Sequence, residues 1–339
     1  MTTHEAKRWV LAKRPTGRPG PETFRLETVE LPDPGPGEAR VRTLLASIDP
    51  THRIWISDVD QYMPPIELGA PIRGSTLGIV EESNAEGVEP GELISGFWGW
   101  QSHVQLSGRA LRHKVPDEPG IPDSAWLSVL GGTGLTAWFG IHDIARPKPG
   151  ETAVVSAAAG AVGSIAAQLA KLAGCRVIGI AGTDEKCQWL TEVAKLDGAI
   201  NRRTENIGQA LDRHCPEGID VDFENAGGPI LDAILERVRK NARIAVCGLI
   251  ASYDDLEGSP GPRFFRNVLM KRVHIEGFII LDYARRFAEG QAGLLEHVRA
   301  GELQWQDHIV DGLERAPEML SWLLDGKNQG KLMVRCSSR

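Results

Sequence analysis

Residues 158–163 read Ala-Ala-Gly-Ala-Val-Gly and sit between two very different neighbours. Before them runs ETAVVSA (151–157), a short apolar stretch of the kind that forms a strand buried on both faces. After them runs VGSIAAQLAKL (162–172), with apolar residues at helical spacing. A strand turning into a helix through an A-x-G-x-x-G sequence is a variant of the dinucleotide fingerprint. Gly160 lets the backbone approach a pyrophosphate, and Gly163 lets the helix pack closely on the sheet. The free N–H groups of the helix start then face the phosphates. A tight turn packed by small residues is the plainer alternative.

The surrounding rhythm repeats this unit. Residues 175–181 (CRVIGIA) read as a second strand, 185–195 as a helix and 198–201 as a third strand. Further strands are expected at 219–224 and 242–248, with a helix at 230–240 between them, and 285–301 reads as helical. Alternating strands and helices imply an α/β fold with a doubly wound parallel sheet. Residues 1–125 differ: short alternating runs such as 38–45 (EARVRTLL) and 77–82 (LGIVEE) are broken by Pro/Gly clusters, as in a β-barrel or sandwich. Helix onset is expected near 122–124, and the chain ends in a small unit with a strand at 331–335.

Composition narrows the function classes. The chain has 339 residues and a formal charge of −7, so a general nucleic-acid binder is disfavoured. No run of about 18 apolar residues suggests a membrane span. Residues 1–9 (MTTHEAKRW) lack a signal-peptide pattern, which predicts a cytoplasmic protein. The five cysteines are odd in number and irregularly spaced, which suits reduced thiols.

The second strand ends at Ala181-Gly182-Thr183-Asp184-Glu185-Lys186. Gly182 leaves space where an acidic ribose ligand usually sits about 20 residues after the fingerprint. Lys186, with Arg202 and Arg203 after the third strand, suits a 2′-phosphate, so NADP(H) is preferred over NAD(H). Asp184 is the counter-argument, either as a displaced ribose ligand or as a dipole-favoured helix residue. Asn225-Ala226-Gly227-Gly228 and Cys247-Gly248-Leu249-Ile250 close later strands at the edge where such folds bind ligands.

Metal ligation is not expected. There is no C-x-x-C, and His4, His52, His103 and His113 have no thiolate partner in the first domain. A His/Glu set such as His52 with Glu67 is the weaker alternative. A serine-hydrolase elbow and a P-loop lysine are also missing.

These residues, in order, resemble the zinc-independent medium-chain dehydrogenases/reductases, in the branch of prostaglandin, 2-alkenal and curcumin reductases. Ile48-Asp49-Pro50 with Arg53, then Tyr62-Met63-Pro64-Pro65, resemble its N-terminal signature; 130–140 (LGGTGLTAWFG) resembles its junction helix; Asn328-Gln329-Gly330-Lys331 resembles its closing cofactor contact. The resemblance implies a GroES-like β-barrel catalytic domain (1–125, completed by 306–339), a Rossmann NADP-binding domain (126–305) and a site in the cleft between them.

It also implies roles. Ala159, Gly160, Ala161, Val162 and Gly163 would hold the pyrophosphate. Lys186 would bind the 2′-phosphate beside Gly182; Arg202 departs from the tyrosine common in the family and either stacks on the cofactor or strengthens the phosphate pairing. Asn225, Cys247, Gly248, Leu249, Ile250, Ser252 and Tyr253 would pass along the cofactor. Phe278, Ile279 and Ile280 would flank the nicotinamide, and Asn328 and Gly330 would close over it. Thr51 replaces a tyrosine of the family's pocket.

The implied reaction is NADPH-dependent reduction of the C=C bond of an apolar conjugated carbonyl compound. An enolate is delocalised and needs less help than an alkoxide, so one or two donors replace a metal. Of three tyrosines, Tyr253 is the leading donor and Tyr62 a second; packing or ribose contact is the alternative for Tyr253. Phe97, Trp98 and Trp100 line a substrate pocket or form the β-domain core. Quinone reduction and non-catalytic NADPH binding are the competing functions. A homodimer through the strand near 274–281 is the implied assembly.

Overall fold

The computed structural model describes residues 3–255 and 260–339. The chain divides into two compact units, 1–128 with 307–339, and 129–306.

The first unit opens with β1 (Thr3–Leu11) and β2 (Phe24–Pro32), an antiparallel pair forming their own two-stranded sheet. Next come β3 (Glu38–Ser47), β4 (Thr76–Ser83), β5 (Leu93–Gly96) and β6 (His103–Ser107). Strand β3 is central: it pairs antiparallel with both β4 and β6. Its burial is nearly continuous, as expected of a strand covered on both faces. Leu11, Ile48, Ile56, Ile72, Trp100 and Leu332 are almost wholly buried in this unit's core. Each such aliphatic side chain contributes roughly 1.5–3 kcal/mol of transfer free energy.

The second unit supplies β7 (Thr152–Val155), β8 (Arg176–Ala181), β9 (Gly198–Asn201), β10 (Ile219–Glu224), β11 (Val238–Val246) and β12 (His274–Gly277). All neighbours are parallel, in the order β12-β11-β10-β7-β8-β9. That is the doubly wound order, with the switch point between β7 and β10. The chain returns to the first unit as β13 (Asp307–Asp311) and β14 (Lys331–Arg335), and β14 pairs with β3.

Several expected boundaries move: the helix expected at 185–195 is Asp184–Glu192, and the strand expected at 242–248 is Val238–Val246. The helix expected at 230–240 is Gly228–Arg237, because β-branched Val238 is buried and pairs with Ile219 to begin β11. The helix expected at 285–301 is Phe287–Arg299, preceded by a tighter 3₁₀ segment, Ile280–Arg286. The strand near 274–281 stops at Gly277. The onset near 122–124 is the start of a 3₁₀ turn, Asp123–Leu127. Among the described residues no helix is long and apolar enough to cross a membrane.

Candidate active site and cofactor cradle

The turn after β7 carries the fingerprint. Ala157 is left-handed (φ 47°), and Gly160 caps the helix Ala161–Leu172 without any side-chain cap. The helix-start N–H groups therefore remain for a ligand. A Cβ at Gly163 would lie 2.4 Å from the Ala157 carbonyl oxygen, so the helix meets the turn at a distance only glycine allows. Ala158, where the fingerprint usually begins with glycine, is fully buried. Its methyl is accommodated by Gly179 on β8, whose own Cβ would come within 2.9 Å of it.

Across the switch point, Ser156 and Glu224 tie β7 to β10. The Ser156 hydroxyl donates to Glu224 Oε1, which also accepts from the N–H groups of Ala226 (2.6 Å) and Gly227 (2.9 Å). The Ser156 oxygen in turn accepts from Asn225 N–H (2.7 Å), and the Asn225 side-chain amide donates to the Ser156 carbonyl (2.7 Å). Burial raises the Glu224 carboxyl above its ordinary range, while these donors pull it back. Asn225 is thus held rigidly. Neither Ser156 nor Glu224 is marked as a site residue by the sequence, because they meet only through sheet register.

Residues 247–253 lie alongside. Cys247 and Gly248 N–H groups donate to the Glu224 carbonyl, and Ile250 and Ala251 donate to those of Asn225 and Ala226. The Tyr253 hydroxyl lies 3.2 Å from where a Cβ on Gly248 would stand, so the phenol folds over that glycine. Ser252 bonds back to the Leu249 carbonyl. Burial and Glu224 push the Cys247 thiol up to about 12, so it stays protonated.

Beyond β8, Gly182 lies against Arg202 and Arg203: a Cβ there would be 3.7 Å from the Arg202 guanidinium and 3.8 Å from that of Arg203. Thr183 caps the helix Asp184–Glu192 by accepting from Lys186 N–H. Desolvation and the two arginines depress the Lys186 ammonium, and Arg203 does the same to Arg202 after desolvation. Two arginines beside a glycine, with Lys186 close enough to feel both, fit a dianionic phosphate. Asp184 Oδ1 accepts from Asn201 Nδ2 (2.7 Å), bracing the helix to β9.

Phe278 is buried, edge-on to Phe223 (6.3 Å), while Ile279 and Ile280 are half-exposed.

The remaining candidates belong to the first unit. Tyr62 is 40% exposed, and its hydroxyl accepts from Trp55 Nε1 (2.8 Å). Thr51 stands beside that hydroxyl. Burial raises the Tyr62 phenol, which keeps its proton to donate. Of the aromatic cluster, Trp98 and Trp100 are core residues bonded to Thr43 and Ser47, and Phe97 is exposed, edge-on to Trp55. Asn328 is buried and donates to the Gly330 carbonyl (2.8 Å). His52 is also buried, bonded to the Asp49 backbone, and joins no group of three ligands among the described residues.

A parallel sheet in this order, with a glycine turn at its switch point and a cationic corner beyond the second strand, defines a dinucleotide-dependent oxidoreductase. Residues 7–114 match the family described as "N-terminal domain of oxidoreductase", and 161–296 match "zinc-binding dehydrogenase". An NADPH-dependent curcumin reductase of Escherichia coli is 43% identical over 97% of this chain and 96% of its own. Prostaglandin reductase 1 of Bos taurus is 36% identical over 97% of this chain and 99% of its own. The crystal structure of CurA from Vibrio vulnificus in complex with NADPH superposes with a TM-score of 0.93 at 39% identity, covering 98% of this chain and all of that one. The chain belongs to the medium-chain dehydrogenase/reductase family, in the branch of the curcumin and prostaglandin reductases.

Proposed function

We propose that this chain uses NADPH to reduce the C=C bond of α,β-unsaturated ketones and aldehydes, without a metal ion at the reacting centre. Lys186, Arg202 and Arg203 carry the proposal, since three cations gathered beyond the second strand, with Gly182 leaving space beside the two arginines, complement a 2′-phosphate. When bound, NADPH supplies the hydride. The chain's own residues do the rest. The cationic corner grips the 2′-phosphate, the helix beginning at Ala161 faces the pyrophosphate, and the Ser156–Glu224 bracket fixes Asn225. Asn328 and Gly330 complete the cofactor contacts on this reading, with Phe278, Ile279 and Ile280 near the nicotinamide.

An enone reduced at its β-carbon becomes an enolate, whose oxygen needs a preorganised donor. Tyr253 fills that role, with Tyr62 second. Exposed Phe97 against Trp55, close to Tyr62 through Trp55, supports an apolar conjugated substrate. Strand β12 is an exposed edge beside exposed Leu269 (77%) and Met270 (61%), which supports a homodimer formed there. Five free thiols support a cytoplasmic location.

NADPH consumption with a panel of enones, enals and quinones tests the reading, with the products analysed. Saturated ketones or aldehydes are expected. Allylic alcohols would indicate carbonyl reduction, and hydroquinones alone a quinone reductase. Tight NADPH binding without turnover would favour a non-catalytic role.

A further inference from the structure

Three side chains from three strands of the first unit converge away from the residues assigned above. His4 lies on β1, Glu81 on β4 and His103 on β6. One ligand atom from each lies within 4.8 Å of the other two. The imidazoles meet edge-on at 4.2 Å between centroids. His103 Nε2 stands 3.6 Å from Glu81 Oε2, beyond hydrogen-bond range, and His4 Nε2 is shut off from solvent with no hydrogen-bond partner. From this geometry we propose that His4, Glu81 and His103 form a binding site for a divalent transition-metal ion of the zinc type.

The chemistry of the donors selects the ion. Two imidazoles and one carboxylate suit Zn²⁺, Co²⁺ or Cu²⁺ and are poor for Mg²⁺ or Ca²⁺. Bonds of about 2.0–2.1 Å in a tetrahedron place ligand atoms roughly 3.4 Å apart. The His103–Glu81 pair, at 3.6 Å, is near that spacing already, and His4, within 4.8 Å of both, closes the set by a side-chain adjustment of at most about 1.4 Å. Water takes the fourth position.

The supporting shell is in place. Ser102 Oγ lies 3.1 Å from His103 Nδ1 and is itself fixed by the Lys7 N–H (2.9 Å), which orients the ring with Nε2 inward. Arg42 binds Glu81 Oε1 (2.7 Å) and leaves Oε2 facing the imidazoles. Arg40 is the other nearby cation: it is paired with Glu82, and its Nε also stands 3.9 Å from Glu81 Oε2. These two guanidiniums weaken the site: Arg42 holds the other carboxylate oxygen, and Arg40 stands at ion-pair distance from Oε2 without hydrogen-bonding it, so the ion displaces a contact of 3.9 Å.

A metal here ties the two-stranded β1–β2 sheet to β4 and β6 of the larger sheet. It stabilises the fold by mass action and takes no part in hydride transfer.

The test uses the full chain, stripped of metal by chelator and titrated with ZnCl₂ by calorimetry and with Co²⁺ by visible absorption. One equivalent is expected to bind, giving tetrahedral Co²⁺ bands and a higher Tm with Zn²⁺. His4→Ala and His103→Ala should each weaken binding about tenfold or more. His297→Ala, in a separate surface His297–Glu302 pair, should leave it unchanged. Enone reduction should be the same with and without metal. If His103→Ala does not fold, Cu²⁺ electron paramagnetic resonance of the intact protein should show two nitrogen ligands. No saturable binding, or equal affinity in His4→Ala and wild type, would overturn the site.

Discussion

Ser156 and Glu224 are 68 residues apart in sequence, and their side chains meet in the buried seam between β7 and β10. The bond fixes the Asn225–Gly227 turn, because hydroxyl and carboxylate together receive the N–H groups of all three residues. Ser156→Ala removes an acceptor and should cost about 1–3 kcal/mol in stability. It should also raise the KM for NADPH several-fold by loosening Asn225. Glu224→Gln keeps an acceptor oxygen for the same donors and should stay near wild type. Thermal melts with NADPH kinetics check this; a Ser156→Ala protein with unchanged KM would remove the bracket from cofactor binding.

Asp222 lies two residues before Glu224 on the same face of β10, fully buried, with neither carboxylate oxygen hydrogen-bonded. Desolvation, and then the neighbouring Glu224, push its pKa well above the ordinary value. The folded state therefore keeps a proton that the unfolded chain releases near pH 4. With the folded pKa raised, stability is fully present below the unfolded pKa and is lost as pH rises through the folded one. Asp222→Val, flanked by Val154 and Ile244, should be stabilising by about 1–3 kcal/mol at pH 8. That advantage should shrink toward pH 5. Parallel melting temperatures at the two pH values would contradict the assignment.

What could be read from the sequence was local. The fingerprint turn, Lys186 and Gly182 are legible because a strand, a turn and a helix within 30 residues dictate their places. The doubly wound class followed from the same alternation. Ser156–Glu224 and His4–Glu81–His103 were not legible, since each is assembled by strand register rather than spacing. The start of β11 is not legible either, because periodicity does not reveal that Val238 pairs with Ile219. Gly179 gives the reason Ala158 is tolerated, which only the neighbouring strand reveals.

Lys186→Ala should raise the KM for NADPH by roughly ten- to a hundredfold, the equivalent of one or two charge-assisted hydrogen bonds. NADH, without the 2′-phosphate, should be nearly unaffected. Arg202→Ala should act in the same direction, and the double variant should approach equal use of both cofactors. Initial-rate kinetics with each nucleotide decide the matter, and equal losses for both would reject the phosphate role.

Tyr253→Phe separates proton donation from packing, because phenylalanine keeps the ring that covers Gly248 and deletes only the hydroxyl. If the hydroxyl stabilises the enolate, kcat should fall roughly a hundredfold, and the KM for NADPH should hold. If it only contacts the cofactor, KM should rise with little change in kcat. Tyr62→Phe provides the comparison. Its oxygen accepts from Trp55, and burial raises its pKa, so the phenol remains a donor at and above neutral pH. A smaller kcat loss is expected there, with substrate KM also rising, since Tyr62 is partly exposed beside Trp55. Turnover unchanged in both variants would leave the enolate without a tyrosine donor and would point to a backbone N–H or water in its place.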